Sequence, residues 1–328
     1  MFKNKKILTI SFMTLAVALT GCQPKKTEST EDAASQPKAV EQVEVLRLTG
    51  GAEKLALNLP ACKGNGCPEI SVERLSSNQA FIDAFVDKRI LKQLDQILEI
   101  APSFQKQQAN VENSEKKLSP NDQMAEAASS ATAITAKQAL EQQIAPYTVK
   151  FLAIDKELKA LSANHTISLM IKPKILNANT PLATVVLNAS SYLGGAHGAS
   201  AQQYYNFDLE QKKYIQLNDI LIPNQRENLQ KKAHEVFKTW VIDSQLADRV
   251  EEYEQAWKFT LTDNYYLSPQ GLILQYAEYE IGPYVVGLPR LTIPYDQLHT
   301  ILKAQYLPKL ADKQSVAAST AVTSKAQS

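Results

Sequence analysis

Residues 184–209 read TVVLNASSYLGGAHGASAQQYYNFDL, and this stretch has the strongest bearing on the fold. Its first segment, 184–192, is rich in β-branched and apolar residues, and its last segment, 203–209, is rich in aromatic residues. Both compositions are typical of strands. Three glycines lie between the two segments and flank His197: Gly194, Gly195 and Gly198. The stretch therefore predicts two strands of a sheet separated by a glycine-rich turn.

Other short segments have the same β-branched or aromatic character. They are 166–171, 258–261, 272–276 and 290–293. Turn sequences such as Ser268-Pro269-Gln270-Gly271 and Ile281-Gly282-Pro283 separate several of them, which favours antiparallel pairing.

Two helices are predicted from apolar residues at helical spacing. The first follows Asn78, a plausible N-cap, and has apolar residues at Ile82, Phe85, Val86, Ile90, Leu94, Ile97 and Leu98. The second has them at Leu229, Ala233, Val236, Phe237, Trp240 and Val241. Together with the strands, they predict an α+β fold of antiparallel sheets packed with a few helices, in two intimately joined subdomains.

The N-terminus resembles a bacterial lipoprotein signal peptide. Residues 1–21 have a basic start, an uncharged apolar stretch and the run Leu19-Thr20-Gly21 directly before Cys22. The resemblance implies that Cys22 is lipidated, for instance with palmitate, and that Gln23 directs the protein to the outer membrane, facing the periplasm. The apolar stretch of about thirteen residues is too short to span a bilayer comfortably. A secretory signal cleaved without lipidation is the alternative.

Three further segments are polar. Residues 22–42 contain almost no large apolar side chains and are expected to form a flexible tether, and residues 312–328 a disordered tail. The stretch 103–143 is rich in Gln, Ala, Glu, Lys and Ser, and is either a loosely packed helix or an insertion with a flexible middle.

Cys62 and Cys67 remain once Cys22 is assigned to lipid. Gly64 and Gly66 between them allow a tight turn, which favours a disulfide in an oxidising compartment. A free thiol pair and a metal site are the alternatives, although zinc would require two further ligands.

Charge and motifs exclude several functions. The mature chain would keep 32 of the 35 basic residues beside 34 acidic ones, a formal net charge of −2. This is not the charge of a nucleic-acid-binding protein. His234-Glu235 begins like a zinc-protease motif, but Lys238 stands where the second histidine would be. We find no serine-hydrolase elbow or phosphate-binding loop, and we expect no catalytic residue, metal or cofactor.

Two groups of segments resemble the RsiV-like C-terminal domain family. The first comprises Tyr192-Leu193-Gly194-Gly195-Ala196-His197-Gly198, then 204–209 and 217–221; the second comprises 267–272, 279–284, Gly287 and 293–295. We therefore assign 188–311 to this domain type. Residues 43–187 are similar, less distinctly, to the companion domain of PdaC-type deacetylases.

The resemblance implies a function in the cell envelope. Family members include lysozyme-sensing anti-sigma factors and peptidoglycan deacetylases, whose catalytic domain is a separate module. This sequence is expected to lack both the sigma-binding segment and the deacetylase barrel. The leading hypothesis is a lipid-anchored binding module without catalytic activity, which recognises peptidoglycan or a lysozyme-like muramidase. The alternatives are a hydrolase with an unrecognised site near His197 and a purely structural envelope protein.

The candidate ligand-binding residues are Gly194, Gly195, His197, Gly198, Tyr279 and Tyr284. The glycines allow backbone N–H groups to surround a polar ligand, or they allow a strand to bend with His197 bonded to a neighbouring carbonyl. Tyr276, Tyr279 and Tyr284, near Glu278 and Glu280, would suit sugar rings or a cationic protein, although core packing also explains tyrosines.

Overall fold

The computed structural model describes residues 46–64, 66–98, 134–161 and 166–308. Its larger sheet has six strands that lie side by side in chain order. They are β1 (Gly50–Lys54), β2 (Glu69–Ser77), β3 (Ser168–Asn177), β4 (Ala183–Tyr192), β5 (Ala199–Asp208) and β6 (Lys213–Ile215). The β2–β3 pair is parallel and the other pairs are antiparallel.

A second, antiparallel sheet follows in the chain. Its strands are β7 (Tyr265–Ser268), β8 (Gly271–Gln275) and β9 (Arg290–Pro294), with β8 in the middle. The helices are α1 (Ala80–Leu98), α2 (Ala136–Ala160), α3 (Leu217–Ile220), α4 (Arg226–Asp243) and α5 (Val250–Ala256). Short 3-10 turns lie at Tyr284–Val286, Tyr295–Gln297 and Ala304–Tyr306. The α+β class is thereby confirmed.

Two hydrophobic cores hold these layers together. In the first, one face of α1 and one face of α2 pack against the six-stranded sheet. Its fully buried side chains include Ile82, Val86, Ile90 and Leu94 from α1 and Ile144 and Phe151 from α2. In the second, α4 and α5 pack with the three-stranded sheet through Leu229, Phe237, Tyr253, Leu272 and Ile293, among others.

A buried ion pair joins β2 to α1. Arg74 donates from Nε to Asp87 Oδ1 at 3.3 Å and from Nη2 to Asp87 Oδ2 at 2.8 Å. The two side chains are only 8% and 14% exposed. Because both ions lie away from water, each depends on the other for compensation.

A seam of polar side chains joins the two sheets along β5. The Asn264 side chain accepts from the backbone N–H of Tyr204 and donates to the carbonyl of Gln202, both at 2.8 Å. Asn206 donates to the carbonyl of Tyr265 at 2.8 Å, and Arg290 donates to the Gln202 side chain at 2.6 Å. Asn264 therefore satisfies backbone groups at a sheet edge that no neighbouring strand covers.

Both predicted helices are present, but the N-cap of α1 is not Asn78. The Asn78 side chain instead accepts from Thr49 N–H and donates to the Arg47 carbonyl, so it ties β1 to the start of α1. The Ser77 hydroxyl accepts from Gln79 N–H at the beginning of the helix.

One other sequence assignment needs correction. Residues 258–261 do not form a strand, because Phe259 packs on helix α4, where its ring stacks on that of His234 at 5.0 Å. Residues 136–143, at the end of the polar stretch 103–143, form the first turns of α2 with Leu140 buried, which agrees with the helical alternative for that part of the stretch. Thr135 caps that helix through a capping box with Gln138.

The Cys62–Cys67 disulfide is present, with 5.8 Å between the Cα atoms. Cys22, the tether 22–42 and the tail 312–328 lie outside the described residues, as does most of 103–143. The expected division between 187 and 188 falls inside β4, so the larger sheet is continuous across it. None of the described helices has the length and apolar character needed to cross a bilayer.

Candidate functional site

The glycine-rich turn connects β4 to β5. Strand pairing ends at Ser191 opposite Ala199, and the turn lies beyond that pair. Gly194 has φ of 84°, a conformation that residues with a Cβ rarely adopt. Neither Gly195 nor Gly198 has a positive φ. A Cβ on Gly194 would lie 2.7 Å from Leu158 Cδ1, so this glycine also lets the turn approach α2.

The loop between β8 and β9 faces this turn. Its conformation is fixed by Glu280, whose carboxylate accepts from Ala277 N–H at 2.8 Å, and by Tyr253, whose hydroxyl donates to the Ile281 carbonyl at 3.0 Å. Glu278 accepts from Ser200 N–H at 3.0 Å and so connects the loop to the start of β5. Both acidic residues bind backbone groups and are not arranged as a catalytic pair.

His197 meets two tyrosines of this loop. The hydroxyl of Tyr279 lies 2.9 Å from His197 Nε2, and the ring of Tyr284 stacks on the imidazole with 3.9 Å between centroids and 21° between planes. Trp257 stacks on the outer side of Tyr279, 6.5 Å away. We call His197, Tyr279, Tyr284 and Trp257 the aromatic cluster.

Both ring nitrogens of His197 are occupied. Nδ1 lies 2.9 Å from the carbonyl oxygen of Gly198. A carbonyl can only accept, so Nδ1 carries a proton and donates to it, while Nε2 lies within hydrogen-bonding distance of the Tyr279 hydroxyl. With hydrogen bonds from both ring nitrogens to the protein, His197 is held as a rigid support for the two tyrosines.

The cluster nevertheless lies at the surface. Tyr279 is 49% exposed and Tyr284 is 37% exposed, and the neighbouring Val285 is 86% exposed. Tyr279 also has φ of 63°, an uncommon conformation for a residue with a side chain. Exposed aromatic rings that are locked by stacking offer flat apolar faces at a low entropic cost of binding.

The structure thus brings together candidate residues that lie far apart in the chain. His197 and the turn glycines meet Tyr279 and Tyr284, whereas Tyr276 belongs to the core. Tyr276 is fully buried, its hydroxyl donates to the Thr260 carbonyl at 3.0 Å, and burial raises the pKa of its phenol. Sequence reasoning missed Trp257, since no spacing connected it with the tyrosines.

His234 lies apart from this surface, on α4. Its Nε2 is 2.8 Å from Glu254 Oε1 on α5, and its ring stacks on Phe259, so it connects two helices. Within the described ranges, no three His, Cys, Asp or Glu side chains lie close enough together to hold a metal ion.

Comparisons with known proteins match parts of this chain to a family model and to a curated relative. A family model described as "Protein of unknown function (DUF3298)" matches residues 218–296, which include Tyr279 and Tyr284 but not His197. The chain is 25% identical over 172 residues to peptidoglycan-N-acetylmuramic acid deacetylase PdaC of Bacillus subtilis (strain 168). That alignment covers 49% of this chain and 35% of PdaC, so the chain matches about a third of that relative's length.

Two solved structures are among the matches. A DUF3298 family protein from Pseudomonas aeruginosa PAO1 has a TM-score of 0.53 at 22% identity, over 80% of this chain and 97% of that one. A member of the same family from Bacteroides fragilis NCTC 9343 has a TM-score of 0.45 at 17% identity, over 79% and 93% of the two chains. The family-model match supports a DUF3298-type domain at residues 218–296; the narrower RsiV-like assignment remains a prediction.

Proposed function

We propose that this protein is a non-catalytic cell-envelope binding module that contacts the glycan strands of peptidoglycan through the aromatic cluster. The observation that carries the proposal is the exposed pair of Tyr279 and Tyr284, of which Tyr284 stacks on His197 and Tyr279 is hydrogen-bonded to it. The similarity to part of a peptidoglycan deacetylase supports the same cell-wall setting. Lipidation of Cys22 would hold the module at the outer membrane, facing the periplasm.

The chemistry of the cluster suits a pyranose ring. Each pyranose has apolar C–H faces that pack on aromatic rings, and hydroxyl or acetamido groups at its edge that form hydrogen bonds. The ring faces of Tyr279 and Tyr284 supply the packing surface, and the Tyr284 hydroxyl supplies a polar edge. Because His197 fixes the geometry in advance, little side-chain freedom is lost on binding.

Co-sedimentation with purified peptidoglycan sacculi tests the proposal. Tyr284→Ala, and separately Tyr279→Ala, should weaken binding on the order of tenfold, because each removes one stacking face. Ile134→Ala is the matched control: Ile134 is an apolar residue, 60% exposed, that precedes the opposite end of α2 from Leu158. Equal sedimentation of all four proteins would refute a role for the cluster.

A second candidate partner is a lysozyme-like muramidase. Val285, which is 86% exposed, extends the tyrosine surface into an apolar patch of the kind that proteins bury on association. Binding to immobilised lysozyme that Val285→Ser and Tyr284→Ala both abolish, without binding to sacculi, would favour this partner. Release of soluble muropeptides from sacculi would instead favour the hydrolase alternative.

A further inference from the structure

A polar cleft lies on the far side of the turn that carries Tyr279. It encloses about 440 Å³ between α1, the β5–β6 edge and the loops that precede β7 and follow β8. The cleft is lined by Arg89, Lys92, Gln93 and Gln96 from α1, by Gln203, Tyr204 and Tyr205 from β5, and by Tyr214 from β6. None of His197, Tyr279 and Tyr284 lines it, so it is separate from the aromatic cluster.

Arg89 is the unusual residue of this cleft. Its guanidinium lies 4.5 Å above the Phe85 ring and 5.7 Å from the Tyr205 ring, so aromatic faces fix its position. Its Nε is buried and makes no hydrogen bond to any described residue. The charge of the guanidinium is therefore compensated by its aromatic contacts and by groups that its terminal nitrogens meet, since Nε itself is closed off from solvent.

The acidic residues of the cleft do not compensate this charge. Asp263 is paired with Arg226 at 2.9 Å, and the Glu280 carboxylate accepts from Ala277 N–H. No carboxylate within the described ranges forms an ion pair with Arg89 or with Lys92, one turn further along α1. The α1 wall therefore presents two positive charges that form no ion pair with a carboxylate in the described part of the chain.

The remaining lining offers neutral hydrogen-bonding groups. Burial raises the pKa of Tyr205 to about 12, although the charge of Arg89 lowers it, so its hydroxyl stays protonated at neutral pH. Burial also raises the pKa of Tyr214. The side-chain amides of Gln93 and Gln203 line the same space, and neither bonds to another described residue.

We propose that this cleft binds an acidic saccharide. Arg89 and Lys92 would pair with a carboxylate, and the phenols and amides would bond ring hydroxyls. The volume falls in the range of about 300–1,000 Å³ that is typical of small-molecule sites, and the polar lining suits a hydrophilic ligand. The proposal does not depend on glycan binding by the aromatic cluster.

The test uses three soluble probes with the full chain: glucuronate, glucose and acetate. Saturation-transfer NMR and calorimetric titration at millimolar concentrations should give saturable binding of glucuronate, with glucose and acetate each at least about tenfold weaker. Acetate binding as tightly as glucuronate would reduce the cleft to a simple anion site and overturn the saccharide assignment. Equal binding of glucose and glucuronate, or no saturable binding of glucuronate, would overturn it as well.

Variants then locate the site. Arg89→Gln should lower glucuronate affinity about tenfold, whereas Arg89→Lys should retain part of it, because the charge remains. Tyr205→Phe removes one hydroxyl without changing the packing, and it should lower affinity severalfold even if Arg89→Gln fails to fold. Lys150→Gln, which removes an exposed charge on α2 outside the cleft, is the control. Unchanged affinity in Tyr205→Phe together with unchanged affinity in a folded Arg89→Gln would refute the location.

Discussion

Replacing Gly194 with alanine should destabilise the fold, whereas the same change at Gly195 should not. At Gly194, φ of 84° would strain an alanine by about 1–2 kcal/mol. The new Cβ would also lie 2.7 Å from Leu158 Cδ1 and 3.0 Å from Cδ2, so the leucine must leave its rotamer, at about 0.5–1.5 kcal/mol.

A third effect, on the unfolded chain, opposes the backbone strain and the Leu158 rotamer change. Alanine restricts the unfolded chain more than glycine does, which stabilises the fold by about 0.4–1 kcal/mol. The net destabilisation at Gly194 is then about 0.5–3 kcal/mol, or a fall in Tm of a few degrees for a unit of this size. At Gly195 the backbone is unstrained and a Cβ would have only the His197 carbonyl within reach, at 3.9 Å. At Gly195, alanine would therefore act only by restricting the unfolded chain, which stabilises the fold.

Thermal unfolding followed by circular dichroism, together with urea titration, measures both variants beside the parent. The two alanines are chemically identical and lie on adjacent residues, so their difference isolates the conformation of Gly194 and its contact with α2. If Gly194→Ala melts at or above the temperature of Gly195→Ala, the reasoning from positive φ and the Leu158 contact is wrong.

Three other outcomes follow from the sequence and structure. Asp87→Ala should lower the free energy of unfolding by up to about 3–5 kcal/mol, because it leaves the buried Arg74 with the longer ion pair to Glu53, at 3.8 Å, and the double replacement Arg74→Met with Asp87→Leu should recover much of that loss in urea titrations. Cys62→Ser should cost about 2 kcal/mol by loop entropy, and protein from the periplasm should show no alkylation of Cys62 or Cys67 without reductant; full alkylation there would contradict the bridge. Cys22→Ser should release the protein from the membrane fraction or leave its precursor unprocessed, and unchanged fractionation and processing would contradict lipidation.

The sequence predicted elements whose apolar residues follow a simple period. Helices α1 and α4 were predicted because their apolar residues recur at helical spacing, and β4 and β5 because their composition is strongly strand-like. Strand β2 was missed because Arg74 lies among its buried residues and disguises the alternation of Ile70 and Val72. The pattern of apolar residues in β2 cannot reveal that the charge of Arg74 is paired with Asp87 of α1.

The candidate site was predicted in its parts but not as an assembly. His197 was chosen for its glycines, and Tyr279 and Tyr284 for their aromatic rings beside acids. Their contact spans 82 positions in the chain and depends on how β5 meets the β8–β9 loop, which local spacing does not encode. The cleft at Arg89 was missed for the same reason, since its walls come from both halves of the chain.

The polar seam along β5 shows that the limits of the family match differ from the limits of the folded unit. The family match ends at residues 218 and 296, but Asn264 and Tyr265 within it bond to Gln202, Tyr204 and Asn206 outside it. An excised 218–296 segment would also lack core side chains supplied by Leu182, Ile215, Leu217, Ile301, Leu302 and Tyr306. The stretch that the family model matches is therefore smaller than the stretch that must fold together, and cutting the chain at the edges of the match would open both its core and its strand edge to water.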